Sequence, residues 1–126
     1  MTAPSRALVL LSPQQIPPAD DPQWEDWLTA TELMYSHGFR RAHEHLAARK
    51  AAKQAAARLL GLPLVPDMWH AMEIHRRTGS GPALNFTGAA AHQLRRLAVP
   101  HPALSLTHAR GYAAALAWIP ARSAGS

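Results

Sequence analysis

The feature that most constrains the fold is an alanine-rich stretch between two glycines, Gly38 and Gly61. Alanine has the highest helix propensity, and helices commonly end on a glycine that follows the last helical residue. Pro63 and Pro66 prevent a helix from continuing past that point. The stretch therefore predicts one long helix over about residues 39–60, with Gly61 as its C-terminal cap.

The rest of the chain predicts shorter elements on both sides of this helix. Thr29 and Glu32 have the spacing of a capping box at the start of a short helix. Helices are expected at 29–36 and 87–98, strands at 6–11, 68–76, 83–86, 103–108 and 112–119, and a turn at 78–82. Helices that come early and antiparallel strands that come late indicate an α+β fold.

Length and composition limit the classes of protein that this chain can belong to. At 126 residues it is expected to form one domain, residues 1–120, followed by a disordered tail, 121–126. No apolar run approaches the roughly 18 residues of a membrane span, so no membrane association is expected. The absence of cysteine excludes disulfides and thiolate metal sites, and it fits a reducing, cytoplasmic location.

Charge is distributed unevenly along the chain. The net charge is +5, and basic residues dominate positions 40–58. A patch of this kind can bind nucleic acid, the phosphates of a nucleotide or an acidic protein. Aromatic residues make up only 6% of the chain, and no zinc finger, RNA-recognition or P-loop pattern occurs, so nucleic acid is not the expected partner.

The predicted long helix carries its positive charge in two stripes of residues spaced four apart. One contains His45, Arg49 and Lys53, and the adjacent one contains Lys50, Gln54 and Arg58. Such stripes can be a solvated surface or the binding site of an anion. The spacing alone does not identify which anion.

Three segments resemble motifs of the holo-acyl-carrier-protein synthase type of 4′-phosphopantetheinyl transferase. They are residues 28–35, 46–61 and 105–114, and residues 69–74 and 79–88 fit the family's middle strands and turn. In the family, the motif helix reads arginine, an aromatic, two small residues and Lys-Glu-Ala, then a second lysine before leucine and glycine. The order and spacing of the matches, over about residues 28–119, carry the resemblance.

The resemblance implies a fold, ligands and partners. The expected fold has helices packed on a small antiparallel sheet, and the chain is expected to form a homotrimer with sites at the subunit interfaces. Coenzyme A, or its phosphopantetheine arm, is the implied ligand, and an acyl carrier protein of fatty-acid or polyketide biosynthesis is the implied partner. The residues expected to contact the coenzyme are Arg49, Lys53, Gln54, Arg58, Ser105 and His108, with His108 and Lys53 as catalytic candidates.

The match fails where the family binds magnesium. The family uses the glutamate after the motif lysine and an aspartate in the first strand, but this chain has Gln54 at the first place and no acid in residues 7–11. Magnesium prefers anionic oxygen ligands. No metal-binding residue is therefore assigned, magnesium is doubtful, and an acid from a neighbouring subunit remains an alternative.

Two functions are compatible with a chain that matches the family motifs but lacks the magnesium-binding carboxylates. The leading hypothesis is a repurposed family member that acts on a coenzyme A-linked or carrier-tethered acyl chain without metal, either by acid–base chemistry at His108 or as a binding protein. The alternative is a magnesium-dependent 4′-phosphopantetheinyl transferase with an unusual metal site. Whether the chain is a tailoring enzyme or a transferase is left open by the sequence.

Overall fold

The computed structural model describes residues 5–76 and 81–120 and has the α+β architecture that the sequence predicts. The helices are α1 (Trp24–Trp27), α2 (Ala30–His37), α3 (Ala42–Leu60), α4 (Pro66–His70) and α5 (Gly88–Leu97). The strands are β1 (Arg6–Leu11), β2 (Met72–Arg76), β3 (Pro82–Phe86), β4 (Ala103–Ala109) and β5 (Tyr112–Trp118), and a 3-10 turn spans Pro13–Gln15. Residues 78–80 of the expected turn and the expected tail, 121–126, lie outside the described residues.

The larger sheet has the strand order β1-β5-β4, with antiparallel pairing throughout. Because side chains alternate across a strand, one face of this sheet can be apolar and covered while the other faces outward. Val9 and Leu11 are buried on the covered face, where the sheet meets α3. Leu8 and Leu10 point the other way and are 63% and 62% exposed.

Helix α3 fills the centre of the molecule. Its alanines are small enough to let the helix lie close to β5, and most of them are fully buried. The helix begins at Ala42, three residues later than the sequence predicts, because residues 39–41 form the turn that leads out of α2. Its end is as predicted: Gly61 adopts a left-handed conformation with φ 68° and caps the helix.

Helix α2 confirms the capping box in both of its hydrogen bonds. The Glu32 backbone N–H donates to the Thr29 hydroxyl, and the Thr29 backbone N–H donates to the Glu32 carboxylate. Helix α5 begins after Thr87, as predicted, although the Thr87 side chain makes no capping hydrogen bond.

The prediction of a strand over 68–76 was wrong in its first half. Residues Pro66–His70 form α4, since Pro66 favours the first turn of a helix and Trp69 is buried against the rest of the molecule. Strand β2 begins only at Met72 and pairs with β3 in a separate two-stranded antiparallel sheet. The sequence interpretation also missed α1, a single turn of helix. No helix in the described residues combines the length and apolar character of a bilayer crossing.

Candidate functional site

A cleft of about 330 Å³ opens where the first turns of α3 meet the end of β2 and the last part of β4. We call it the His108 cleft. Its aromatic and basic lining consists of Tyr35, Phe39, His45, Arg49, Arg76 and His108. The lining of this cleft contains two guanidinium groups and no carboxylate, so it suits an anionic ligand.

Arg49 is 3% exposed as a residue, yet it lines the cleft. Its guanidinium lies 4.3 Å above the centre of the Tyr35 ring, and its Nη1 donates to the His45 carbonyl oxygen at 3.4 Å. The Nε atom is buried without a hydrogen-bond partner. Burial lowers the pKa of Arg49, but an arginine keeps its charge at neutral pH. The group is therefore a positioned cation with a donor still unused.

The His108 ring is hydrogen-bonded to the buried carboxylate of Glu44, on the side away from the cleft. Its Nδ1 donates to Glu44 Oε1 at 3.0 Å, and the Gly111 backbone N–H donates to Glu44 Oε2 at 2.9 Å. The His108 hydrogen bond is the main cause that lowers the pKa of Glu44, so this carboxylate stays charged and fixes the orientation of the His108 ring. With Nδ1 occupied, Nε2 is the His108 nitrogen available to a ligand.

His45 lies between Phe39 and His108. Its ring stacks on Phe39 at 3.8 Å and lies 4.2 Å from the His108 ring. Burial first, and then the positive charges of His108 and Arg49, lower the pKa of His45 to about 4. His45 is therefore neutral at pH 7 and would gain a proton more easily if an anion entered the cleft.

Lys53 does not line the His108 cleft. It is fully buried, and its Nζ donates to Glu32 Oε1 at 2.6 Å and to the carbonyl oxygens of Trp27 and Trp69 at 2.8 and 2.9 Å. Burial lowers the pKa of Lys53, while Glu32 opposes that shift. All three ammonium donors are used within one chain, and the pair joins α1, α2, α3 and α4. The catalytic and coenzyme-binding roles expected for Lys53 stay predictions.

The other expected coenzyme residues lie apart from the cleft. Arg58 is nine positions beyond Arg49 on α3, which at 3.6 residues per turn places it roughly on the opposite side of the helix. It lines a separate, mainly apolar cavity of about 370 Å³ with the end of α3 and α5. Ser105 is exposed on β4 and Gln54 is half-buried on α3, and neither lines the His108 cleft. Of the six residues expected to contact the coenzyme, a single chain thus brings only Arg49 and His108 into the same cleft.

The described residues do not fit a magnesium ion. The Oε1 atom of Gln54 is buried without a hydrogen-bond partner, but a single neutral oxygen is a poor ligand for this ion. Glu32, Glu44 and Glu73 are each engaged by protein donors. Within residues 5–76 and 81–120, no three or more His, Cys, Asp or Glu side chains lie together so that they could hold a metal ion.

Several residues of the cleft escaped the sequence interpretation. Tyr35 belongs to a motif but has no role assigned from the sequence, and His45 belongs to a basic stripe but is not among the expected site residues. Phe39 and Arg76 enter the cleft from a turn and from the end of β2. Only the four-residue spacing of His45 and Arg49 could have linked any of these residues to the site, because the others are brought in by tertiary packing.

Comparisons with known proteins agree with this fold. No protein-family model matches the chain. A holo-[acyl-carrier-protein] synthase of Frankia casuarinae is 44% identical over 89 residues, which cover 70% of this chain and 70% of the relative. The chain belongs to the holo-acyl-carrier-protein synthase family.

Solved structures of this family have the same fold as the chain. The holo-[acyl-carrier-protein] synthase of Neisseria meningitidis is 17% identical and superposes with a TM-score of 0.78, over 93% of this chain and 98% of that one. The Chronobacterium ammoniagenes ACPS–CoA complex is 24% identical with a TM-score of 0.76, over 94% and 97% of the two chains. The resemblance drawn from the three motifs is confirmed, and so is the fold that it implied.

Proposed function

We propose that this chain is a 4′-phosphopantetheinyl transferase that moves the phosphopantetheine arm of coenzyme A to a serine of an acyl carrier protein. The reaction forms a bond from the serine oxygen to phosphorus and breaks the pyrophosphate, which releases adenosine 3′,5′-bisphosphate. Membership of the synthase family carries the proposal, since the relatives are named for this activity. The transferase thus has more support than the repurposed enzyme, because no observation favours chemistry on an acyl chain.

The His108 cleft supports the choice of coenzyme A as ligand. Coenzyme A presents a phosphate monoester besides its pyrophosphate, and a guanidinium can donate two hydrogen bonds to such a group. Arg49, Arg76 and His108 line one cleft and can surround a phosphate together. Glu44 keeps His108 oriented while it does so. The expected acid–base role of His108 is a separate prediction, because phosphate binding already accounts for its position.

The position of Arg58 supports an assembly in which sites form between subunits. Arg49 and Arg58 lie on opposite sides of α3, and a site built between neighbouring chains would bring one chain's Arg49 and the next chain's Arg58 to the same coenzyme molecule. The outward face of the larger sheet, with Leu8 and Leu10 exposed, is an apolar surface suited to a second copy of the chain. We therefore propose the trimer that the resemblance implies.

The test is mass spectrometry of an apo acyl carrier protein after incubation with the chain and coenzyme A, with magnesium in one arm and EDTA in the other. A competent family member is the positive control, and the Arg49→Ala variant tests the cleft. We expect the carrier to gain the phosphopantetheine mass with the wild-type chain and at least tenfold more slowly with Arg49→Ala. A carrier that stays apo while the positive control converts it would refute the transferase assignment and return the repurposed function to first place.

A further inference from the structure

The stripe formed by Lys50, Gln54 and Arg58 is the second cationic feature of α3. These residues follow one another at intervals of four, so they share one face of the helix. Lys50 and Gln54 are half-buried and Arg58 is exposed. The stripe carries two positive charges and no negative charge, and its central residue stands where the resemblance expects the glutamate that binds magnesium. This stripe attracts anions and repels a divalent cation.

Lys50 has no counter-ion. Its Nζ lies 4.5 Å from the centre of the Trp27 ring and 6.0 Å from that of Trp24. No carboxylate lies within salt-bridge distance of it in the described part of the chain, and it makes no hydrogen bond there. Burial lowers the pKa of Lys50. An ammonium group that is partly removed from water, with aromatic rings beside it but no counter-ion, is stabilised when an anion binds beside it.

Gln54 supplies the complementary observation. Its Oε1 is buried and accepts no hydrogen bond. As an acceptor this oxygen gives an anion no hydrogen bond, and what Gln54 contributes to the stripe is the absence of negative charge. A neutral amide at this place leaves the charge of Lys50 and Arg58 uncompensated, whereas a carboxylate would cancel half of it. Every charged group of the stripe therefore favours a ligand rich in negative oxygen.

We propose that Lys50, with Arg58, binds the pyrophosphate of coenzyme A directly and supplies the positive charge that a divalent cation would otherwise bring. The proposal rests on the proposed function for the identity of the natural ligand. It assigns a binding role to Lys50 and makes coenzyme binding independent of magnesium. A positive charge near the bridging oxygen also stabilises the leaving phosphate as the pyrophosphate breaks.

The experiment is isothermal titration calorimetry of inorganic pyrophosphate into the full-length chain, in EDTA and then in excess magnesium. We expect the wild-type chain to bind in EDTA, and to bind no more tightly in magnesium, because magnesium complexes free pyrophosphate and competes with the chain for it. The Lys50→Gln variant should bind about tenfold more weakly, which is the effect of losing one charge-assisted hydrogen bond. Lys50→Arg should stay within about threefold of wild type, because it retains the charge.

Two further variants separate this proposal from general charge effects. Gln54→Glu adds a carboxylate to the stripe and should weaken binding about tenfold in EDTA. Arg95→Gln removes the same charge as Lys50→Gln from the last turn of α5 and should leave the Kd within about twofold. Binding that requires magnesium, or a Lys50→Gln variant that matches Arg95→Gln, would overturn the proposal. Because pyrophosphate is the probe, this result is independent of whether the carrier protein becomes modified.

Discussion

At the scale of single residues, the four-residue spacing on α3 predicted which charged residues share a face of the helix, but not which residues their side chains contact. The sequence grouped His45, Arg49 and Lys53 in one stripe, and the structure places the first two beside the His108 cleft. Lys53 turns instead towards Glu32, which lies 21 positions earlier in the chain. Spacing along a helix predicts which residues share a face, but the neighbours that a long side chain meets depend on the packing of other elements.

His45 provides a prediction about pH. In the folded chain the pKa of His45 is about 4 instead of 6.5. Between these values the unfolded chain binds more protons, so the free energy of unfolding should fall as the pH falls from 6.5 towards 4. His45→Gln removes this contribution. The free energy of unfolding that the variant loses between pH 6.5 and 4 should therefore be smaller than the wild-type loss by about 1–3 kcal/mol, after allowance for solvent screening.

The measurement is urea unfolding of wild type and variant at several pH values between 4 and 7. His92→Gln is the matched control, because His92 is exposed on α5, and it should keep the pH dependence of the wild-type chain. If His45→Gln loses stability between pH 6.5 and 4 as steeply as the wild-type chain does, the histidine is not held neutral by its surroundings.

At the scale of elements, local signals predicted the ends of helices better than the type of the short segments. The Thr29–Glu32 capping box and the Gly61 cap act within one turn of the chain, so the sequence contains all that they need. Segment 66–76 splits into α4 and β2 because Trp69 is buried while Met72 pairs with β3. The local sequence pattern does not predict these tertiary interactions.

The C-terminal cap of α3 can be tested through Gly61. Its φ of 68° disfavours any side chain, although an added Cβ would have no atom within 4 Å. Gly61→Ala should therefore lower the free energy of unfolding by about 1 kcal/mol through backbone strain alone. Gly81→Ala is the control, since the site is equally open and its φ is not positive. Equal stabilities of the two variants in chemical denaturation would contradict the role of the cap.

At the scale of the whole molecule, the sequence predicted the order of the strands in the chain but not the coverage of the sheet. One face of the β1-β5-β4 sheet packs on α3, and the other exposes Leu8 and Leu10. Alternation along β1 could not reveal this difference, because leucine or valine occupies both faces. The exposed face is a property of the assembled sheet, and it is the basis for the proposed trimer.

Leu8→Lys should abolish self-association, because a charge would be buried without a partner at the proposed interface. Sedimentation or light scattering should give a trimer for the wild-type chain and a monomer for this variant. Met34→Lys is the control, since Met34 is 79% exposed on α2 and lies outside the sheet. A wild-type chain that sediments as a monomer, or a Leu8→Lys variant that stays trimeric, would refute the interface.

The placement of Arg49 and Arg58 on opposite sides of one helix has a consequence for the activity of trimers that mix two inactive variants. If each site takes Arg49 from one subunit and Arg58 from the next, Arg49→Ala and Arg58→Ala trimers should each be impaired, yet co-refolded hybrids should regain activity. Random pairing restores about one quarter of the sites, since each arginine is intact with a chance of about one half. Two defective gene copies could then support one another in a cell, which sites confined to a single chain would not allow.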